Sequence, residues 1–559
     1  MPLEDRDGHH GNRIIADVVV IGAGLSGLVA AATAYAAGKR VAILDQEPAA
    51  SLGGQAHWSF GGLFMVDTPE QRRLGVKDSA ELALHDWFSS AGFDRAEDAH
   101  ARMWAEAYIH FASGEKRAWL RSLGVGIFPL VQWAERGGYG PQGHGNTVPR
   151  FHVAWGTGPA VVEPFLAKVR EGVAVGRIAL HLRHRATSLT IAAGTVTGVA
   201  GDVLEPTTAV RGEASPRTAV GHFEAAGGAV VVATGGIGGN HDMVRRQWPG
   251  GMAPADMLSG VPASVDGAFL PVVETAGASL VNGDRMWHYP EGIHNDQPVW
   301  PKHGIRILPG PSSLWLDAEG RQLPAPLFPG FDSQGALRHI VATGHGYSWF
   351  VLNRTIALKE LALSGSEQNP DLTGKNIPLL LGRLKPSGDT PIERFLERGA
   401  DFVQGTSPEE LAGRMNSLTG TGLIDAHALG SLISARDLQV ESGLGKDPQL
   451  AEIRAARRFA TDRLMRVAPP HRLTDPAHGP LVAIRLSVVT RKSLGGLQTD
   501  LRSRVLGRDG SAIPGLYAVG EAAGFGGGGI HGYRALEGTF LGGCLFTGRA
   551  AGRDAASSV

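Results

Sequence analysis

Residues 17–45, DVVVIGAGLSGLVAAATAYAAGKRVAILD, contain a complete strand–turn–helix–strand unit. Val18–Ile21 is a short β-branched run, the pattern of a strand buried on both faces of a parallel sheet. Gly22, Gly24 and Gly27 follow at G-x-G-x-x-G spacing. The first glycine permits the tight turn, the second lets backbone approach a pyrophosphate, and the third allows close helix–strand packing. Ala23, Leu25 and Ser26 complete the turn and open an Ala-rich helix that should end near Gly38, an αL cap. The helix N-terminus offers free N–H groups and a positive dipole end to phosphates. Asp45, with Gln46 beside it, closes the second strand about 20 residues on, where an acid binds a ribose hydroxyl. Residues 18–38 carry no charge and are long enough to span a bilayer, but the glycine spacing and the immediate second strand argue for a dinucleotide fold.

At 559 residues the chain exceeds one simple core, so more than one domain is expected. A formal net charge of -1 gives no electrostatic case for nucleic acid or an anionic membrane. The 79 glycines are about twice the usual share, which suits backbone that approaches a ligand repeatedly. The single cysteine, Cys544, excludes an intrachain disulfide or a C-x-x-C site and reads as a buried helix residue. The first sixteen residues lack an apolar core of a secretory signal, so a cytoplasmic protein is expected. No H-E-x-x-H or compact His/Cys/Asp cluster is present, so no metal site is expected. Ser26 lacks the G-x-S-x-G spacing of a nucleophile elbow.

Two further stretches repeat the strand-into-glycine pattern: residues 228–240, GAVVVATGGIGGN, and 513–529, IPGLYAVGEAAGFGGGG. Three strand ends meeting glycine turns across the whole chain describe one discontinuous nucleotide domain. Residues 228–240 together with the first fingerprint resemble the FAD-binding half of flavoproteins with two dinucleotide-binding domains. No second G-x-G-x-x-G with a following acid is present, so a separate NAD(P)H domain is not expected and the resemblance leaves FAD as the resident dinucleotide.

The chain resembles the flavoprotein group of fumarate reductases and 3-ketosteroid Δ1-dehydrogenases over essentially its full length. The motifs that carry this are VVVIGAGLSGL, LGGQAHWSFGG (52–62), VVVATGGIGGN, SLGGLQTD (493–500), IPGLYAVGEAAG and HGYRALEGTFLGG (531–543). The resemblance implies an α/β fold: a discontinuous doubly wound, Rossmann-like FAD-binding domain (1–284 and 479–559) with an inserted α+β cap (285–478). It implies that Asp45, where relatives mostly have Glu, binds the adenosine ribose. Gly53, Gly54, Ser59, Gly61 and Gly62 would line flavin and pyrophosphate, with Ala233, Thr234 and Gly235. Ala186 would meet adenine, and Gly520 and Glu521 the ribityl chain. Thr539, Phe540 and Leu541 would open a helix facing the flavin, whose N-terminus stabilises negative charge on the reduced ring. Gln55 stands where membrane-bound relatives have a histidine bonded to FAD, so FAD is expected to be non-covalent.

Between about residues 284 and 478 the glycine turns lapse into MWHYPEGIHNDQPVWPKHGIR and GHGYSWFVLNR, the expected cap. Residues 411–445 read as helical scaffold and 451–466 as a solvated, Arg-rich helix. In ketosteroid dehydrogenases the HGYRALEGT stretch carries a tyrosine that polarises the 3-keto oxygen, a place held by Tyr533, with Glu537 where a glycine amide assists. In fumarate reductases the same stretch carries an arginine that clamps a carboxylate; Arg534 is one residue out of that register. Arg491, Lys492 and Ser493 stand where those enzymes place a histidine. Tyr289 and Tyr347 are further catalytic candidates in the cap. The resemblance therefore implies α,β-desaturation beside a carbonyl, or its reverse, on a steroid-like small molecule with an external electron acceptor. An enoate reductase acting on a carboxylate, and a flavin-binding protein without turnover, are the alternatives; the sequence leaves monomer or homo-oligomer open.

Overall fold

The computed structural model describes residues 13–138, 145–382 and 391–559, so most of the N-terminal segment read for a secretory signal lies outside the described residues. Its nucleotide-binding body centres on a six-stranded sheet ordered Arg504–Leu506, Ala512–Ala518, Ala229–Val232, Val18–Ile21, Val41–Asp45, Ile178–Leu182. All neighbours are parallel except the edge pair formed by Arg504–Leu506. The three glycine turns thus leave the same edge of three adjacent strands, which is why they converge although hundreds of residues separate them. Val18–Ile21 and Ala229–Val232 are buried throughout, as their β-branched composition requires.

The helix Leu25–Ala36 follows the first turn and ends at Gly38, whose φ of 84° is the αL cap expected. A side chain at Gly27 would place its Cβ 2.0 Å from the Gly22 carbonyl oxygen, so only glycine lets helix and turn close up. The C-terminal helix Thr539–Ser558 packs on it equally tightly, a Cβ at Gly548 or Gly552 coming within 2.6 Å of the Ser26 or Ala30 carbonyl oxygen. The stretch weighed as a bilayer span is therefore strand, turn and a 12-residue helix. Among the described residues no helix is long and apolar enough to cross a membrane.

A second, mixed sheet of eight strands builds the cap. Its spine is the 13-residue strand Leu481–Ser493, paired with Tyr347–Asn353 on one side and Met286–His294 on the other. This strand, expected within the returning nucleotide domain, instead joins the two bodies: it begins in the cap core, and its last residue, Ser493, accepts through Oγ and donates through its backbone N–H to the nucleotide body. Specifically, the Ile237 N–H bonds Ser493 Oγ at 3.0 Å, and the Ser493 N–H bonds Glu521 Oε1 at 2.8 Å. The expected helical scaffold is the pair Pro408–Thr419 and Ala426–Ser442, and the Arg-rich stretch is Pro448–Ala456 and Ala460–Met465. A four-stranded sheet, Arg13–Ile15, Ala219–Ala226, Thr195–Leu204 and His184–Ala192, flanks the nucleotide body and carries Ala186.

Candidate active site

One cavity of about 530 Å³ runs from the fingerprint turn to the junction with the cap sheet. At its first end lie Gly22, Gly24, Leu25 and Ser26, with Asp45, Gln46, Ala186, Ala233, Thr234 and Gly235. Gly54, Ser59 and Gly62 line its middle, and Glu521, Phe540 and Leu541 lie toward the far end. The remaining cofactor residues inferred from sequence sit behind this wall. Ala23 donates its N–H to Asp45 Oδ2 at 2.6 Å, and Gly27 is buried beneath the turn. Gly53 forms a bridge with Gly24, Gly61 packs on the Thr157 backbone, and the Gly520 N–H bonds Thr547 Oγ1 at 2.9 Å. Thr539 Oγ1 bonds the buried His531 ring at 2.7 Å. Cys544, expected to be buried, is partly exposed and lines the cavity.

The wall fits a dinucleotide on its own evidence. A Cβ at Gly24 would meet nothing within 4 Å, so that backbone borders open space. Thr234 Oγ1 is buried without a hydrogen-bond partner and lines the same space. Asp45 accepts from the Ala23 and Glu47 N–H groups, and burial nevertheless pushes its carboxyl up to about 6. Asp45→Ala should weaken FAD binding roughly ten- to a hundredfold, the value of a charge-assisted hydrogen bond of about 1.5–3 kcal/mol. A ribose hydroxyl donates best to the ionised carboxylate. Affinity should therefore fall as pH drops from 7 to 5, through the Asp45 value, in the natural protein and not in Asp45→Ala. Fluorescence titration of apoprotein at both pH values checks this, and a pH-independent natural protein would exclude Asp45 as ribose ligand.

The four catalytic candidates separate. Tyr533 lies outside the cavity, 37% exposed, donating to Asp94 Oδ2 at 3.2 Å and accepting from Arg95 at 3.3 Å. The cause is local: Gly532 takes φ 57° against Ala91, and the Tyr533 N–H bonds the Ala91 carbonyl at 2.7 Å, which turns the side chain outward. Arg534 is also outside, ion-paired with Asp332. Tyr347 packs on the cap core beside Trp349 and does not reach the cavity. Tyr289 does: it is buried, lines the far end, and donates to Glu537 Oε1 at 2.7 Å.

Around Tyr289 stands a buried charge cluster that sequence reasoning missed. Arg306 lies 3.7 Å over the Tyr289 ring, bonding Glu537 Oε1 at 2.8 Å and Glu135 Oε1 at 2.6 Å, with Glu291 at 3.5 Å. Burial pushes Glu135 up to about 8 against the Arg306 charge, and it raises Glu291 as well. Burial acts the same way on Glu537, but Arg306 and Lys492 together outweigh it and hold that carboxyl below its ordinary value. Tyr289 is raised well above 10 by burial first and the Glu537 charge second. Arg491 and Lys492 complete the far wall; among the described residues neither has a carboxylate within ion-pair distance. No motif marks Arg306 or Glu135, and Tyr289 and Glu537 are 248 residues apart. For Lys492 the signal was its position in the segment that precedes Gly495 and Gly496.

A family model described as FAD binding domain matches residues 17–541. A KsdD-like steroid dehydrogenase of Mycolicibacterium smegmatis is 58% identical over 546 residues, covering 97% of this chain and 99% of that protein. Among solved structures, a flavocytochrome c3 fumarate reductase in its open conformation aligns with TM-score 0.63 and 21% identity, over 98% of this chain and 78% of the other. The 3-ketosteroid-Δ4-(5α)-dehydrogenase of Rhodococcus jostii RHA1, solved with 4-androstene-3,17-dione, aligns with TM-score 0.62 and 19% identity over 97% of each chain. At these identities the two structures speak for the fold.

Proposed function

The chain belongs to the FAD binding domain family, and from that membership we propose that it is a dehydrogenase catalysing α,β-desaturation, or the reverse, next to the carbonyl of a steroid-like ketone. The observation that carries this reading is the continuity of the cavity. The wall that suits a dinucleotide and the wall bearing Tyr289, Arg306 and Lys492 enclose one space. The name of the M. smegmatis relative supports a steroid, and so do the apolar side chains Phe60, Phe151, Leu308 and Phe540 along the cavity. When bound, FAD supplies the acceptor of a hydride from the β-carbon.

The protein's own part is to exclude water, hold the ketone and carry charge. The cap sheet closes one side of the space, which strengthens each polar contact inside it. Arg306 and Arg491 present cationic donors at the far end, where negative charge on a carbonyl oxygen would develop during removal of the α-proton. Gln55, tied to Glu521 by a 2.5 Å hydrogen bond, supports non-covalent FAD, since an amide offers no nucleophile for a flavin linkage. Its proposed location is cytoplasmic, and an external acceptor takes the electrons on.

A second reading rests on Arg491 and Lys492, which among the described residues have no carboxylate within ion-pair distance and would suit an enoate carboxylate. Anaerobic flavin spectroscopy against ketosteroids, succinate and enoates separates the readings. Bleaching by a saturated ketosteroid, with free FAD released on acid denaturation, is expected. Reoxidation of chemically reduced flavin by enoates alone would favour the carboxylate reading, and a spectrum unmoved by every compound would leave a flavin-binding protein without turnover.

A further inference from the structure

Desaturation beside a carbonyl needs a base for the α-proton, and the cavity offers few. Arg306 and Arg491 do not deprotonate in proteins. The Tyr289 phenol is committed as donor to Glu537 and is held well above 10 by burial and the Glu537 charge. Glu537 Oε1 already accepts from both Tyr289 and Arg306, and the neighbouring cations hold that carboxyl low, which makes it a weak base. Glu521 accepts from the Ser493 N–H at 2.8 Å and from Gln55 at 2.5 Å.

Lys492 remains. It stands near the end of the strand Leu481–Ser493 and lines the cavity, with Nζ 4.0 Å from the Phe540 ring centroid and 3.3 Å from Tyr289 Oη. That hydroxyl is the single hydrogen-bond partner recorded for Nζ among the described residues. Because the Tyr289 O–H donates to Glu537, the phenolic oxygen can only accept toward Lys492, so it anchors the amine without competing for a proton. The amine is thus buried, held at one point and open on the cavity side, as a base requires.

We propose that neutral Lys492 is the base that removes the α-proton, and that Tyr289, fixed by Glu537 and Arg306, is its positioning residue. This rests on the desaturase reading above. The α C–H bond breaks and its proton becomes the third N–H of Lys492. The electron pair left behind forms the new C=C bond as the β-hydrogen departs as hydride to FAD, the two-electron acceptor. In the reverse direction the ammonium returns the proton. The groups facing Lys492 are Arg491 on its own strand, His288, Tyr289 and Arg306 on the neighbouring cap strands, and Glu521, His531, Glu537 and Cys544 from the nucleotide body. Burial dominates this balance and brings the ammonium down to about 8, within reach of neutral pH, while Glu537 pulls the other way.

The test uses FAD-loaded Lys492→Met, Lys492→Arg and Lys492→Ala, each first checked for FAD content. Without substrate, the oxidised flavin spectrum of the natural protein should show a pH transition near 8, as a cation lining the flavin cavity loses its charge. Lys492→Met should lack it. With a reducing ketosteroid, the natural rate of flavin reduction should rise tenfold per pH unit below that transition and level off above it. Lys492→Met and Lys492→Arg should be roughly 10²–10⁴-fold slower, the span of general base catalysis. Ethylamine and related primary amines should partly restore Lys492→Ala in order of their basicity. A transition that persists in Lys492→Met, or variants that keep the natural rate and pH profile, would overturn the proposal. If no ketosteroid reduces the flavin, the desaturase reading fails, while the substrate-free titration still reports on Lys492.

Discussion

Arg306→Met should cost about 3–5 kcal/mol of stability, the loss expected when one partner of a buried ion pair is removed. Arg306 is 4% exposed and is the shared counter-ion of Glu135, Glu291 and Glu537, all buried. Without it the three carboxyls must take up protons or stay ionised in an apolar wall. The folded pKa values of Glu135 and Glu291 would then lie further above the unfolded value, and Glu537 would lose one of the two cations that hold it below. A carboxyl raised in this way costs nothing below its unfolded pKa, and the penalty grows as pH rises from there until it passes the folded pKa. The deficit should therefore be larger at pH 9 than at pH 6. Urea unfolding of natural and variant protein at both pH values measures it. Equal stability at pH 9 would mean that Arg306 is not the ion holding the cluster together.

Tyr289→Phe should lower the rate of flavin reduction by a ketosteroid roughly 10²-fold, within the range for losing one element of acid–base catalysis. The phenylalanine ring keeps the packing under Arg306 but leaves Glu537 short of a donor and Lys492 without its anchor. Tyr533→Phe removes hydroxyl contacts outside the cavity, among them those to Asp94 and Arg95, and keeps the ring beneath Arg285; its rate should stay within about twofold, as for surface changes away from a site. Stopped-flow reduction of both variants, with FAD content matched, provides the comparison. A large loss in Tyr533→Phe beside a mild one in Tyr289→Phe would return the catalytic role to the position that family alignment suggests.

This contrast marks the limit of what alignment can read. HGYRALEGT places Tyr533 by register, yet register along a loop does not say which way a side chain points. The bond from the Tyr533 N–H to Ala91, made possible by Gly532 in a left-handed conformation, sends Tyr533 to the surface, while Glu537, four residues on, enters the cavity. Tyr289 was legible only as one tyrosine among 7, in a cap without local motif. Arg306 and Glu135 carried no signal, because an ion pair formed across 171 residues leaves no spacing to read.

The sequence by itself determined the nucleotide-binding body. Its signals are local: a β-branched strand, glycines at fixed offsets, a helix and an acid one strand later, each tied to its neighbours within about 30 residues. Backbone geometry enforces such spacing directly, since a Cβ at Gly27 would lie 2.0 Å from the Gly22 carbonyl oxygen. Only the tertiary structure decided the chemistry at the other end of the cavity. There a strand that carries Lys492 out of the cap core, a loop that turns Glu537 inward and an arginine from a neighbouring strand meet around Tyr289. Long-range sheet pairing sets those positions, and burial at their meeting point sets the proton affinities that the separate residues do not have.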